Sequence, residues 1–318
     1  MIALLNTAGL CSVFEKTSKV NEVNNLEKQA ILRQHHEAAT AIVRLEGWKP
    51  LRLDFDRQDR HIEGVDSLEQ LFDEVISEAI EENLLLKNLN DAPLEASVSS
   101  VDSKARYIDS KGVFFNSYGI CDAAILSQLE HRLTSLRIVS LLENPLVGQF
   151  DLDHLQRIHA ALFSSLYTWA GKLRVTPSSK RAPNGFVSVF AEPETIQDKW
   201  AKLRDKIEVF LQNTDSPFDD KLSALIDIFV DANHAHPFPE GNGRSLQVFM
   251  TQLAQAQGVY LNFSAVNPTE WNIASSLSGV YGRLFEHTHL IQYHPDRDPI
   301  RRIFYTIAND RASLKSDI

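Results

Sequence analysis

His234-Ala235-His236-Pro237-Phe238-Pro239-Glu240-Gly241-Asn242-Gly243-Arg244-Ser245-Leu246-Gln247 is the stretch on which the fold of this chain turns. Upstream of it, Leu222, Leu225, Ile226, Phe229 and Val230 fall at i, i+3, i+4, i+7 and i+8, which predicts a helix over residues 221–235 with one buried face. Downstream, Leu246, Phe249, Met250 and Leu253 repeat that spacing until Gly258, which predicts a second helix over 244–257. A glycine-rich loop is therefore held between two helices that share a core.

The residue types in that loop carry chemistry. Gly241-Asn242-Gly243 running into a helix N-terminus makes an anion cradle, because glycines let backbone N–H groups approach an anion and the helix dipole adds positive potential. Arg244 adds a forked cation, and Glu240 is a carboxylate suited to a Mg²⁺ shared with phosphates. His236 has the side chain best matched to removing a proton from a hydroxyl near neutral pH. Taken singly, a Gly-x-Gly is a turn and a His before Pro-Phe is a core or capping residue. Together at this spacing, a base, a metal ligand and an anion hole point to phosphoryl or nucleotidyl transfer. A metal hydrolase is the competing chemistry, with His234, His236 and Glu240, or His287, His289 and His294, as ligands. Histidines two apart on a helix do not share a face, which argues against the first of these sets.

Working outward, helices are expected over 24–45, 67–86, 123–142, 152–166, 195–212, 268–280 and 300–307. The first has apolar positions at Leu26, Ala30 and Leu45 and stops at Gly47 and Pro50. The second has Ser67 as N-cap with Gln70 in the capping-box position, and an acidic outer face that reads as solvated. Residues 90–112 read as a linker. Residues 174–190 interrupt the helices: Val175, Val187, Val189 and Phe190 flank a Pro183-Asn184-Gly185 tip, the pattern of a short β-hairpin that must lean on helices for stability. The expected class is all-α, mainly helical, with one hairpin.

Composition bounds the function. The chain has 318 residues, 43% hydrophobic and 23% charged, within the range of globular proteins. Its net charge of -10 argues against nucleic-acid binding or a polybasic membrane surface. Residues 51–100 hold nearly all of that excess, with thirteen acidic residues against Arg52, Arg57, Arg60 and Lys87. No apolar run is long enough to span a bilayer, and residues 1–14 lack the basic start of an export signal. With only Cys11 and Cys121 a disulfide framework is excluded, and plain thiols in a cytoplasm are expected, delivery by a dedicated secretion machine staying open.

The run from His236 to Arg244 resembles the signature of the Fic family, His-x-Phe-x-Asp/Glu-Gly-Asn-Gly-Arg-x-x-Arg. Ile158-His159, Leu162-Phe163, the run from Tyr167 to Arg174, and Trp271-Asn272 resemble further landmarks of that family, so the likeness covers about residues 113–290. The resemblance implies a Fic-type helical core with a hairpin flap, preceded by a small helical N-terminal region. It implies transfer of AMP from ATP to a hydroxyl of a target protein, with ATP and Mg²⁺ required. Carried over, His236 is the general base and Glu240 the Mg²⁺ ligand. Gly241, Asn242, Gly243 and Arg244 hold the phosphates, and Phe238 anchors the loop. Lys180, Gly185, Val187 and Phe190 belong to the flap that aligns the target by strand addition. Gln247 stands where the signature has its second arginine, so the charge-assisted contact to the γ-phosphate is lost. An attenuated Fic regulatory module, or a Fic transferase using another donor, are the alternatives that this departure suggests.

Arg44-Leu45-Glu46-Gly47 resembles the inhibitory helix of the antitoxins that partner Fic toxins, Ser/Thr-x-x-x-Glu-Gly/Asn, with Ile42 in the Ser/Thr place. That resemblance makes Glu46 an inhibitory residue and the N-terminal helix an intramolecular partner, although Gln247 removes the usual mate of such a glutamate. A surface glutamate ahead of a glycine cap is the plain alternative. The expected divisions are an antitoxin-like segment 1–60, an acidic helix and linker 61–112, a Fic domain 113–290 and a helical tail 291–318.

Overall fold

A computed structural model describes residues 7–89, 106–285 and 289–310. In chain order the elements are α1 (Thr7–Leu45), α2 (Arg52–Ile62), α3 (Leu68–Leu89), α4 (Ala123–Glu143), α5 (Leu152–Phe163), β1 (Ser179–Arg181), β2 (Val187–Val189), α6 (Ile196–Gln212), α7 (Phe218–Ala235), α8 (Asn242–Ala256), β3 (Val259–Leu261), α9 (Pro268–Leu277), β4 (Tyr281–Phe285), β5 (His289–Tyr293), α10 (Asp298–Ile307) and β6 (Ala308–Asp310). The mainly helical class read from the periodicities is the one that forms.

Local chemistry starts these helices where the sequence marks them. The Asp122 carboxylate accepts from the N–H groups of Ala124 and Ile125 at 2.8 and 3.0 Å, and that of Asp151 accepts from His154 N–H at 2.9 Å. Ser67 and Gln70 form the expected reciprocal box: Ser67 N–H donates to Gln70 Oε1 and Gln70 N–H to Ser67 Oγ. The apolar stripes then pack together. Val248, Phe249, Met250 and Leu253 of α8 have no exposed surface, and Leu222, Leu225, Ile226 and Phe229 of α7 face them in the same core. Ile42, Val43 and Leu45 of α1, with Trp48 beyond it, belong to that core as well.

Several expectations on detail need correction. Helix α1 is longer than residues 24–45, and Leu26 and Ala30 are exposed, because its packing surface lies nearer its C-terminus. The helix expected over 268–280 ends at Leu277, and the one over 152–166 at Phe163. The flap is no lone hairpin: β1 pairs with β2, β2 with β4 and β4 with β5, all antiparallel, in a four-stranded sheet ordered β1-β2-β4-β5. Strand β5 crosses the expected 290/291 boundary, and the tail past α10 continues as β6 against β3 rather than as helix. Residues 90–105 of the expected linker, and 311–318, lie outside the described residues.

The acidic face of α3 is also less solvated than expected. Arg57, its side chain 3% exposed, donates to Glu74 at 3.0 Å, to Glu78, and to Asp54 at 3.4 Å, while Arg132 of α4 donates to Asp54 at 2.8 Å. Clustered acidity thus answers arginines on α2 and α4 and ties three helices together. Removing one partner of a buried ion pair leaves its mate uncompensated, which costs about 3–5 kcal/mol when both are fully buried. Glu74 and Glu78 are 32% and 38% exposed, so water screens part of that loss. Arg57→Ala is expected to lower the unfolding free energy by about 2–3 kcal/mol in urea titration.

Candidate active site

His236 caps the C-terminus of α7 with φ 44° and ψ 61°, a left-handed backbone that non-glycine residues rarely adopt. This reversal ends the helix and turns the imidazole toward the flap, where it stacks on Phe190 with ring centres 3.5 Å apart and planes 5° from parallel. Arg174, 2% exposed, enforces the turn. Its Nε donates to His236 O at 2.7 Å, its Nη1 to Thr176 O at 2.8 Å, and its Nη2 to the carbonyls of Ala191 and Ala235, while its own N–H donates to Pro237 O at 2.8 Å. The positioning role of Arg174 was invisible in the sequence, where it stood only within a family landmark: its partners are backbone carbonyls distant in the chain. Burial, then the charges of Lys180 and Arg174, holds the His236 imidazolium well below its ordinary pKa, so the ring is neutral and able to accept a proton.

The loop after His236 is pinned at each step. Phe238 is fully buried. Asn242 Oδ1 accepts from Phe238 N–H and Asn242 Nδ2 donates to Phe238 O, both at 2.8 Å, so this side chain staples the loop and only its backbone is left for an anion. His159 Nδ1 accepts from Gly171 N–H at 2.8 Å, which fixes the tautomer, and Nε2–H donates to Glu240 O at 2.9 Å. Gly241 has φ 77°, and a β-carbon there would lie 2.4 Å from the Phe163 ring, so both conformation and space demand glycine. As N-cap of α8 it offers no side chain to the first-turn N–H groups.

Arg244 is 1% exposed and engaged on its far side: Nη2 donates to Glu130 Oε1 at 2.6 Å and Nη1 to Thr134 Oγ1 at 3.3 Å, over the face of Phe163. The Tyr167 hydroxyl donates to the other Glu130 oxygen. Glu240 turns its carboxylate back to Gly241 N–H at 2.9 Å, 3.6 Å from Arg244, with its side chain 43% exposed. Partial desolvation, then the nearby Glu130 charge, raises its pKa. One accessible carboxylate beside an uncapped helix N-terminus is a donor set that fits Mg²⁺, which takes one or two carboxylates and completes its shell with phosphate and water. It does not fit a protein-bound zinc. Among the described residues no three His, Cys, Asp or Glu side chains converge, and His234 lies toward Gly279 while His236 faces Phe190. The hydrolase alternative is thereby overturned for His234 and His236; His287 lies outside the described residues, as does the side chain of His289.

Glu46 reaches this site from the end of α1. A β-carbon on Gly243 would lie 1.9 Å from its Oε1, so the carboxylate rests directly on the first turn of α8. Its Oε2 accepts from Lys180 Nζ of β1 at 3.0 Å. Burial opposes that charge, but Lys180 and Arg244 outweigh it and hold the carboxyl below its usual pKa. Asn272 Nδ2 donates to Leu45 O at 2.6 Å, clasping the end of α1, and Gly47 at φ 96° turns the chain away. Gln247 is 1% exposed, and neither its amide nitrogen nor its oxygen has a protein partner. In the flap, Gly185 at φ 82° makes the tip, Val187 pairs with Arg181 and Gly282, and β1 forms an outer edge of the sheet. A cavity of about 310 Å³ lies between that edge and the loop, lined by Lys180, His236, Glu240, Asn242 and Gly243.

Comparison with known proteins finds relatives of the scaffold that holds this site. Residues 149–254 match the Fic/DOC family. Protein adenylyltransferase VbhT of Bartonella schoenbuchensis is 33% identical over 174 residues, 54% of this chain and 34% of that protein. A protein adenylyltransferase of Bartonella henselae is 32% identical over 201 residues, 58% of this chain and 36% of its own length. The chain thus spans about a third of the length of these curated relatives. The BepC effector of Bartonella tribocorum, solved with bound AMPPNP, superposes with a TM-score of 0.54 at 25% identity, covering 64% of this chain and 97% of that one.

Burial lowers the pKa of His159 to about 4, since imidazolium at Nδ1 would also oppose the Gly171 N–H that now donates to it. A depressed folded-state pKa gives stability that is complete above the unfolded value near 6.5 and is lost as pH falls toward 4. Urea unfolding is expected to lose up to about 3 kcal/mol over that interval through this residue, and His159→Gln is expected to flatten that part of the pH dependence.

Proposed function

We propose that this chain is a Fic-type protein adenylyltransferase, moving AMP from ATP to a hydroxyl side chain of a target protein, and that the end of α1 holds it in an inhibited state. The observation that carries the reading is that His236, Glu240 and the uncapped start of α8 line a single cavity. His236 takes the proton of the target hydroxyl, whose oxygen attacks the α-phosphorus; the bond from that phosphorus to the α,β-bridging oxygen breaks, and pyrophosphate leaves. First-turn N–H groups of α8 receive the phosphate charge. Glu240 would hold the Mg²⁺, which supplies charge neutralisation on the phosphates. The free edge of β1 takes the target segment as an added strand, with Gly185, Val187 and Phe190 shaping the flap behind it.

Inhibition is supported by the position of Glu46 on Gly243, where a nucleotide phosphate must lie. It is supported too by the inner part of the site, a space of only about 50 Å³ between Glu46, Phe190, His236 and Gln247, against the several hundred Å³ of a small-molecule site. No helix among the described residues is long and apolar enough to cross a membrane. We place the activity in a cytoplasm, that of the producing cell or of a recipient.

Incubation of cell lysate with the protein and ATP labelled at either the α- or the γ-phosphate tests the reading. Label from the α position alone is expected on protein; γ-label, or none with Glu46→Gly, would overturn it. His236→Ala is expected to lose at least 100-fold in rate while melting within a few degrees of wild type. Glu46→Gly is expected to raise the rate. Because the His236 pKa is lowered, the rate is expected to stay flat from pH 8 to 6.5 and to fall only in more acidic solution, where imidazolium forms.

A further inference from the structure

Glu46 is an anion already seated at the start of α8. Its Oε1 rests on Gly243, and its Oε2 lies 3.0 Å from Lys180 Nζ. Beside it Gln247, 1% exposed, presents an amide with no protein partner, and Glu46, Lys180, Gly243 and Gln247 line the same small inner space. A buried amide left without partners is costly unless something else fills its hydrogen-bonding capacity. A carboxylate oxygen and a phosphate oxygen ask the same of their surroundings: N–H donors and a nearby cation.

We propose that Lys180, assisted by the Gln247 amide, holds the terminal phosphate of the nucleotide once Glu46 has left. The inference rests on the ATP-dependent reading above. It assigns to a flap lysine the contact that residue 247, lacking a guanidinium, cannot make with charge. Lysine suits the task because an ammonium on a flexible stem meets phosphate as a point charge, without the planar match that arginine needs. The Lys180 side chain is 50% exposed, so it has room to re-aim from carboxylate to phosphate. Its strand offers backbone to the target while its ammonium faces the nucleotide, so one residue joins donor and acceptor.

Were Lys180 only a mate for Glu46, its removal from a protein already lacking Glu46 would leave nucleotide affinity untouched. The test is calorimetric binding of ATP and of AMP, with Mg²⁺, to the Glu46→Gly/His236→Ala protein, in which ATP cannot be consumed. Adding Lys180→Met, which keeps the aliphatic stem on an exposed edge strand, is expected to weaken ATP about tenfold and AMP less than twofold. Lys180→Arg is expected to restore most of the ATP affinity, and Gln247→Leu to weaken ATP about threefold with AMP unchanged. Equal ATP affinity with and without Lys180, or an equal loss for AMP, would overturn the inference and leave nucleotide transfer standing. No ATP binding by Glu46→Gly/His236→Ala itself would instead overturn the nucleotide reading.

Discussion

The first turn of α8 is an electrostatic demand built into the backbone. Gly241 supplies no capping side chain, and the Asn242 amide is committed to Phe238, so the leading N–H groups have no internal partner. The helix that follows is buried along nearly its whole length, while its start faces the cavity that Asn242 and Gly243 line. Something anionic has to face that end, and the rest of the site is arranged around which anion it is. Glu46 lies against that end from α1; the proposed substrate would place a phosphate there.

Two buried cations hold this geometry from opposite sides. Arg174 gathers carbonyls from the end of α7, from the chain before β1 and from the chain after β2, so the flap and the proposed base are tied to each other. Arg244 joins α8 to α4 through Glu130, whose second oxygen takes the Tyr167 hydroxyl. A guanidinium taken out of water depends on the partners that answer its charge, so each hub makes its neighbours conditional on one another, although Arg244 Nε itself has no protein partner. Arg244 therefore contributes chiefly a fixed charge behind the cradle, its direct contacts lying toward α4.

Legibility followed the range of the physics. The motif loop, the stripes of α7 and α8, the cap at Ser67 and the flap turn were readable because each is decided within a few residues. So was the interest of Glu46, though only through its resemblance to an inhibitory helix. The sheet partners of the flap were not readable: β4 and β5 are short, and their pairing becomes visible only once β2 lies beside Tyr281 and Gly282. The length Tyr281–Phe285 and His289–Tyr293, rich in aromatic and branched residues, was the signal available. The bonds from Arg174 to scattered carbonyls, from Asn272 to Leu45 and from Lys180 to Glu46 span up to 227 residues of sequence and leave no local trace.

The strength of the Glu46 contact sets what kind of brake it could be. Lys180 is half exposed, and a pair with one solvated member is worth at most about 1 kcal/mol, a population shift of roughly fivefold. The ion pair alone would be a weak latch. What keeps the carboxylate in place is the packing of Ile42, Leu45 and Trp48 and the Asn272 clasp on the Leu45 carbonyl, which fix the backbone from which Glu46 extends. A ligand competing for the start of α8 need not undo that packing. It has to displace one side chain and take over one ammonium, a change of a few ångströms at the end of a helix that otherwise stays docked. On the inhibited reading proposed above, a rigid helix bearing a loosely held carboxylate would be a brake that sets a threshold for the competing anion, and the threshold would depend on how well that anion satisfies Lys180.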